Sequence, residues 1–227
     1  MSLSSSVRVL ACGPFGRDVA GHLGALAGPG RVAVRRARSP LSPGLPAFLE
    51  EGSLGILATY RDIDADLEAF ASAAASAGLP WLPVALSPGH VRVGPLTVPG
   101  AVPCPACYAA RRAQHGWISG GWERALEQDH DLGIHGFAPH LAAIAAGLAL
   151  AIAGPAEWPG RPRPDGALYL IDPARDAVSS WHVIPVHGCE ACEPAVRRAG
   201  SAAAGLERLR AAAGPIAVTA PRPGVTS

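Results

Sequence analysis

The sequence predicts an α/β protein with a Rossmann-like, doubly wound, mostly parallel sheet and a C-terminal part stapled by a metal. Three observations predict it. Aliphatic and β-branched runs alternate with helix-periodic stretches from Val7 to Leu86. A glycine turn, Gly13-Pro14-Phe15-Gly16, lies between the first such run and the first helical stretch. Four of the five cysteines fall in two Cys-x-x-Cys pairs, Cys104/Cys107 and Cys189/Cys192.

The elements follow in order. Val7 to Ala11 is a short apolar strand. Arg17 to Ala27 carries Val19, Ala20, Leu23 and Leu26 at helical spacing. Val32 to Ala37 is a second strand, Gly55 to Thr59 a third, and Trp81 to Leu86 a fourth, reached through the Gly78-Leu79-Pro80 break. Asp64 to Ala77 is an Ala-rich helix with Asp62 or Asp64 available as its cap. Beyond Leu86, Val91 to Val93 and Leu96 to Val98 read as a hairpin around Gly94-Pro95. Ala106 to His115 reads as a short helix, and Gly116 to Gly136 as an aromatic loop with a helical stretch over Trp122 to Gln128. Ala138 to Ala153 is apolar on every side, the mark of a helix buried against the sheet or a second subunit. A Pro-rich connector from Glu157 to Asp165 leads to strands over Ala167 to Asp172 and Ser179 to Pro185. A helix over Ala195 to Ala213 and a Pro/Gly-rich tail close the chain. The expected organisation is a single domain over 1–227: a Rossmann-like half (1–100), a metal-knuckle and helical half (101–213) and a flexible tail (214–227).

Composition excludes some functions. The 227 residues carry a net charge of +1, which offers no electrostatic case for nucleic acid or an anionic membrane. The apolar run from His140 to Gly154 is too short and too rich in Ala and Gly to span a bilayer. Thiols in metal spacing and a polar start without signal-peptide features point to the cytoplasm. All 19 basic residues other than His are arginine, so chemistry that needs a lysine is excluded.

The cysteine pairs carry the chemistry. A Cys-x-x-Cys turn sets two thiolates on one side of a knuckle, and two knuckles together make the closed tetrahedral site of structural zinc. The second pair starts 85 positions after the first, so the metal would staple distant segments. Two redox pairs or disulfides are the alternative. Cys12 lies in an apolar run and reads as an inert buried thiol. His182 or His187 could replace Cys189 as a ligand, and His130 and His135 with Asp129 and Asp131 form either a second metal site or a solvated loop. Trp117 and Trp122 serve either a partner contact or core filling.

The glycine turn leaves two readings open. Aligned to G-x-G-x-x-G, it runs Ala11-Cys12-Gly13-Pro14-Phe15-Gly16, with alanine in place of the first glycine. Gly13 and Gly16 either admit a phosphate to the helix N-terminus or allow only a tight turn and close helix packing. The second strand ends in Arg35, Arg36 and Arg38, with no carboxylate to hold a ribose.

Across almost the whole chain these motifs resemble the ubiquitin-activating-enzyme-like superfamily of the ThiF type. The run Gly94-Pro95-Leu96-Thr97-Val98-Pro99-Gly100 before Pro103-Cys104-Pro105-Ala106-Cys107 is the most specific element. Within that superfamily the chain is most similar to the ThiF-like partner proteins of YcaO cyclodehydratases, whose complexes form azolines from Cys, Ser and Thr of ribosomal peptides. The resemblance implies a YcaO-domain partner, a ribosomal precursor peptide, a homodimer and structural zinc on Cys104, Cys107, Cys189 and Cys192. It implies no ATP chemistry on this chain, because the lysine and the ribose acid of an adenylating member are missing and Asp62 lies late after its strand. An adenylyltransferase acting on a carboxylate and a dimeric scaffold without peptide contact are the rival expectations. Many such partners carry an N-terminal winged-helix segment, and this chain begins at its first strand. That leaves leader recognition by that route open, with a separate recognition protein or a different role for this chain as the alternatives.

Overall fold

The structure is a computed structural model. It describes residues 6–40, 43–115, 120–129, 131–153 and 166–192, with the backbone alone over 120–123. The chain alternates from the start: β1 (Val7–Cys12), α1 (Gly13–Ala27), β2 (Val32–Ala37), α2 (Leu45–Glu50), β3 (Leu54–Thr59), α3 (Asp64–Ser76) and β4 (Trp81–Ser87). Then come β5 (His90–Val93), α4 (Pro105–Gln114), α5 (Gly120–Gln128), α6 (Pro139–Ala153), β6 (Ala167–Asp172) and β7 (Ala177–His182).

One seven-stranded sheet runs β2-β1-β3-β4-β5-β6-β7. β1 to β4 pair in parallel; β5, β6 and β7 continue the sheet antiparallel, so β6 again runs in the sense of β1 to β4. The parallel half is covered on both faces. α1 and α6 pack together on one side, while α2, α3 and α4 form a second helical group. β3 and β4 are accordingly buried along their whole length, and their sequences LGILAT and WLPVALS are near-continuously apolar. α1 drives Phe15, Val19 and Leu23 inward at helical spacing, each with no exposed surface. Among the described residues no helix is long and apolar enough to cross a membrane.

Several boundaries differ from expectation. α1 opens at Gly13, not Arg17, because Pro14 fits the first turn, where its missing N–H costs nothing. α2 was not expected; Leu45 and Leu49, one turn apart, anchor it in the core. β5 does not form a hairpin with Leu96 to Val98. It pairs with β4 across Pro88-Gly89 and with β6 on its other edge, while Thr97 bridges to Trp81. Gly94 explains this: a Cβ there would stand 2.7 Å from the Ala167 carbonyl oxygen, so β6 already occupies the edge that a local hairpin would use. α3 takes Ile63 as its N-cap with no side-chain cap, so neither Asp62 nor Asp64 caps it. α6 is not buried all round. Leu141, Ala142, Ala145, Ala146, Ala149 and Ile152 face inward, while Ile144 and Gly147 are exposed. β7 starts and ends earlier than Ser179 to Pro185 and is exposed throughout. The expected connector over 157–165, the helix over 195–213, the tail, Trp117, His130 and the side chain of Trp122 lie outside what the structure describes.

Candidate metal centre

α4 carries one half of the centre. Cys104 is its N-cap residue and Pro105 its first helical residue. The amides of Cys107 and Tyr108 donate to the Cys104 carbonyl at 3.0 and 3.3 Å, closing the first knuckle. The second knuckle closes the same way: Cys189 N–H donates to Val186 O at 3.2 Å and Cys192 N–H to Cys189 O at 3.0 Å. The knuckles face each other. The Sγ atoms of Cys104, Cys107, Cys189 and Cys192 all lie within 4.8 Å of one another. Three separations are 3.9 Å (Cys104–Cys107), 3.6 Å (Cys104–Cys189) and 3.4 Å (Cys107–Cys192). Four sulfurs each about 2.3 Å from a central ion would stand about 3.8 Å apart along the edges of a regular tetrahedron. The cluster therefore has the size and donor set to hold a metal ion. None of the four is in a disulfide.

Neighbouring hydrogen bonds hold the two knuckles together. Val186 N–H donates to Cys107 Sγ at 3.3 Å. Arg111, one turn beyond Cys107 on α4, donates to Ile184 O and Pro185 O, both at 3.1 Å, and so holds the segment after β7 that delivers the second knuckle. Without a cation the thiols resist ionising together. Burial raises Cys104, and burial with the neighbouring Cys104 and Cys107 thiols raises Cys192. Cys189 moves the other way: burial opposes it, but the Cys192 amide and the neighbouring thiols stabilise its thiolate.

α4 also ties the centre to the core through charges that the sequence reading did not assign. Arg92 of β5 is 1 % exposed; it meets Asp62 at 2.5 Å and lies 4.7 Å from the Tyr108 ring. Arg112 reaches Asp64 at 3.0 Å and Asp62 at 3.7 Å. Burial would raise the Asp62 carboxyl, but the Arg92 ion pair and hydrogen bond, with Arg112, hold it well below the usual carboxylate range. The signal available in the sequence was a lone arginine between Val91 and Val93 in a buried strand, which requires a carboxylate partner.

The glycine turn is built differently. A Cβ on Gly13 would stand 2.2 Å from the Tyr60 ring, and one on Gly133 would stand 2.3 Å from the same ring. Tyr60 is 4 % exposed and fills the space between the start of α1 and the 131–137 segment. Ile134 N–H donates to Tyr60 O at 3.0 Å, His135 packs edge-on at 5.3 Å, and Phe137 meets Phe15 at 5.2 Å. Arg61 is clamped by Asp66 at 2.8 Å and donates to Leu126 O at 2.9 Å, fixing the end of α5. A Cβ on Gly16 would lie 2.3 Å from the Ala58 carbonyl oxygen, so this glycine lets α1 approach β3. Cys12 beneath the turn is fully buried, and burial pushes its thiol up to about 12.

The remaining candidates do not join the centre. The metal-ligand cluster found among the described residues holds neither His182 nor His187, and His135 with Asp129 and Asp131 makes no second one.

No family model and no curated protein matches this sequence. Solved structures share its fold. A heterocyclase in complex with substrate and cofactor aligns at 17 % identity over 84 % of this chain, with a TM-score of 0.57. The heterocyclase TruD aligns at 19 % identity over 84 %, with a TM-score of 0.54. MccB of E. coli with AMPCPP and MccA aligns at 14 % identity over 84 % of this chain and 67 % of MccB, with a TM-score of 0.54. The alignments cover 25 % and 28 % of the two heterocyclase chains. These likenesses show the fold alone: the mixed α/β architecture with a mostly parallel sheet that the sequence predicts.

Proposed function

We propose that this chain is the ThiF-like partner subunit of a peptide-modifying cyclodehydratase in a reducing, cytoplasmic compartment. Its YcaO-domain partner removes water from Cys, Ser or Thr of a ribosomal precursor peptide, and this chain makes the complex competent without ATP chemistry of its own. One observation carries the reading: a fold shared with heterocyclases has Tyr60 lodged against Gly13 and Gly133, where an activating enzyme would admit phosphate. No lysine offers an alternative contact to a nucleotide.

The metal is structural zinc. All four candidate ligands are cysteine, the donor set of a closed structural site, and Val186 N–H donates to Cys107 Sγ. Chemically, zinc would cancel the repulsion of four clustered thiolates and lock α4 to the segment after β7. The exposed face of α6, with Ile144 and Gly147, suits a two-fold partner copy.

Fold likeness to E. coli MccB, solved with AMPCPP, favours one rival, an adenylyltransferase. The filled turn and the arginine-ended β2 weigh against it. The test is mass spectrometry of a precursor peptide incubated with the YcaO protein, ATP and this chain, each omitted in turn. Loss of 18 Da per modified residue, the mass of one water, should require this chain. Equal dehydration without it, or pyrophosphate exchange by the chain alone, overturns the reading.

A further inference from the structure

β7 closes one end of the sheet, and its hydrogen-bonding polarity can be read from its neighbours. The β6–β7 register runs from Asp172↔Ala177 to Ala167↔His182 without a bulge. One position further, Val183 N–H donates inward to Gly166 O at 2.8 Å. In an antiparallel ladder inward and outward residues alternate. Ala177, Ser179 and Trp181 therefore turn their backbone groups to β6. Val178, Ser180 and His182 turn theirs outward, where no strand lies among the described residues.

Natural sheets protect such an edge with lysine, proline, a bulge or a covering element. Among the described residues β7 has none of these. Its sequence is Ala-Val-Ser-Ser-Trp-His, and all six residues are exposed. Val178, Trp181 and Ile184 are 50 %, 53 % and 66 % exposed, which groups three of the largest exposed apolar side chains along this one edge. Ser179 accepts the Trp181 indole N–H at 3.0 Å and holds the ring over the face that Ala177 and Ser179 share.

The geometry points to β7 as a strand-addition site for an extended, uncharged peptide with β-branched residues at alternate positions. An extended backbone is the ligand that satisfies the outward N–H and C=O groups of Val178, Ser180 and His182. A β-branched side chain opposite Trp181 supplies the aromatic–aliphatic cross-strand pair. The strand carries no Arg, Lys, Asp or Glu that would select a charged segment. A second copy is the weaker occupant. A six-residue strand spans about 20 Å and on its own offers far less than the roughly 1,200 Å² that stable dimers bury. The inference rests on the reading that a peptide is the natural ligand of this protein.

The experiment is amide hydrogen exchange on the full chain alone, with acetyl-Thr-Val-Thr-Val-Thr-Val-amide as probe and its alternately N-methylated form as control. The probe should slow exchange at Val178, Ser180 and His182 by about tenfold or more, and the N-methylated form should not. Ser180→Pro removes one outward donor and leaves the β6 ladder intact, so it should abolish protection while keeping the melting curve and metal content. The N-methylated arm decides the question even if that variant folds poorly. No slowing by the probe overturns the proposal. So does prior protection of these amides in the chain alone, whether constant or rising with protein concentration, because the edge is then already covered. No YcaO protein is present, so a positive result here with failed reconstitution would sink the cyclodehydratase reading and leave the peptide site standing.

Discussion

The glycine turn and the paired cysteines are both short motifs, and the structure treats them in opposite ways. The turn is packed from within. Tyr60 lies against Gly13 and Gly133, and Gly16 lets α1 press on the Ala58 carbonyl. The cysteines are gathered across 85 positions into one cluster at tetrahedral spacing. The difference lies in which atoms carry the motif. A glycine loop binds ligand through its backbone, and the same backbone freedom also serves tight packing. Four thiols brought within bonding distance of a shared centre gain little from packing and much from a metal.

The largest expected effect comes from breaking the cysteine side of that contrast. Structural zinc contributes about 10–16 kcal/mol of apparent binding energy, as much as a whole domain's stability. Cys192→Ser, or stripping with a strong chelator, should leave the protein largely unfolded or aggregated by circular dichroism. A chelated protein with an unchanged melting curve would contradict a stapling role.

The buried charges come next. Asp62→Ala leaves Arg92 and Arg112 facing each other without the carboxylate nearest Arg92, and should cost about 3–5 kcal/mol in urea unfolding. The pH dependence has a definite sign. The folded-state carboxyl is depressed, so its contribution is present above about pH 4, where the unfolded aspartate ionises. It is lost progressively as pH falls below that, toward the folded value. Asp62→Asn should flatten this acid limb.

The glycine side responds less. Gly16→Ala places a methyl group against the Ala58 carbonyl and should cost about 1–3 kcal/mol, without any nucleotide-dependent change. A variant that folds normally but loses ATP binding would mean that the turn is a working phosphate site. The smallest effect belongs to His187→Ala, which should leave metal content at the wild-type value by elemental analysis, because the cluster is all cysteine.

The parallel half was legible in the sequence because β1, β3 and β4 are apolar runs separated by long helical repeats, and both faces of the sheet are covered. The cysteine cluster was legible because doubled pairs have few other uses. The antiparallel half was harder to read. Leu96 to Val98 reads as a hairpin partner for β5, yet that edge is taken by β6; the strand over Ala167 to Asp172 is legible in the sequence, but its pairing with β5, far back along the chain, is not. Tyr60 was missed for a similar reason. It follows a buried strand as an ordinary aromatic, and its role depends on Gly133 arriving from a distant segment. The inward stripe of α6 was hidden because its outer face, with Ile144 and Gly147, is nearly as apolar as its inner one.

Native mass spectrometry of the purified chain with magnesium and ATP tests the central claim most directly. It weighs the metal centre and the nucleotide end of one molecule in a single spectrum. The account predicts one zinc ion per chain and no nucleotide adduct. A zinc-free mass lowered by cysteine oxidation, or a chain carrying ATP, would contradict it.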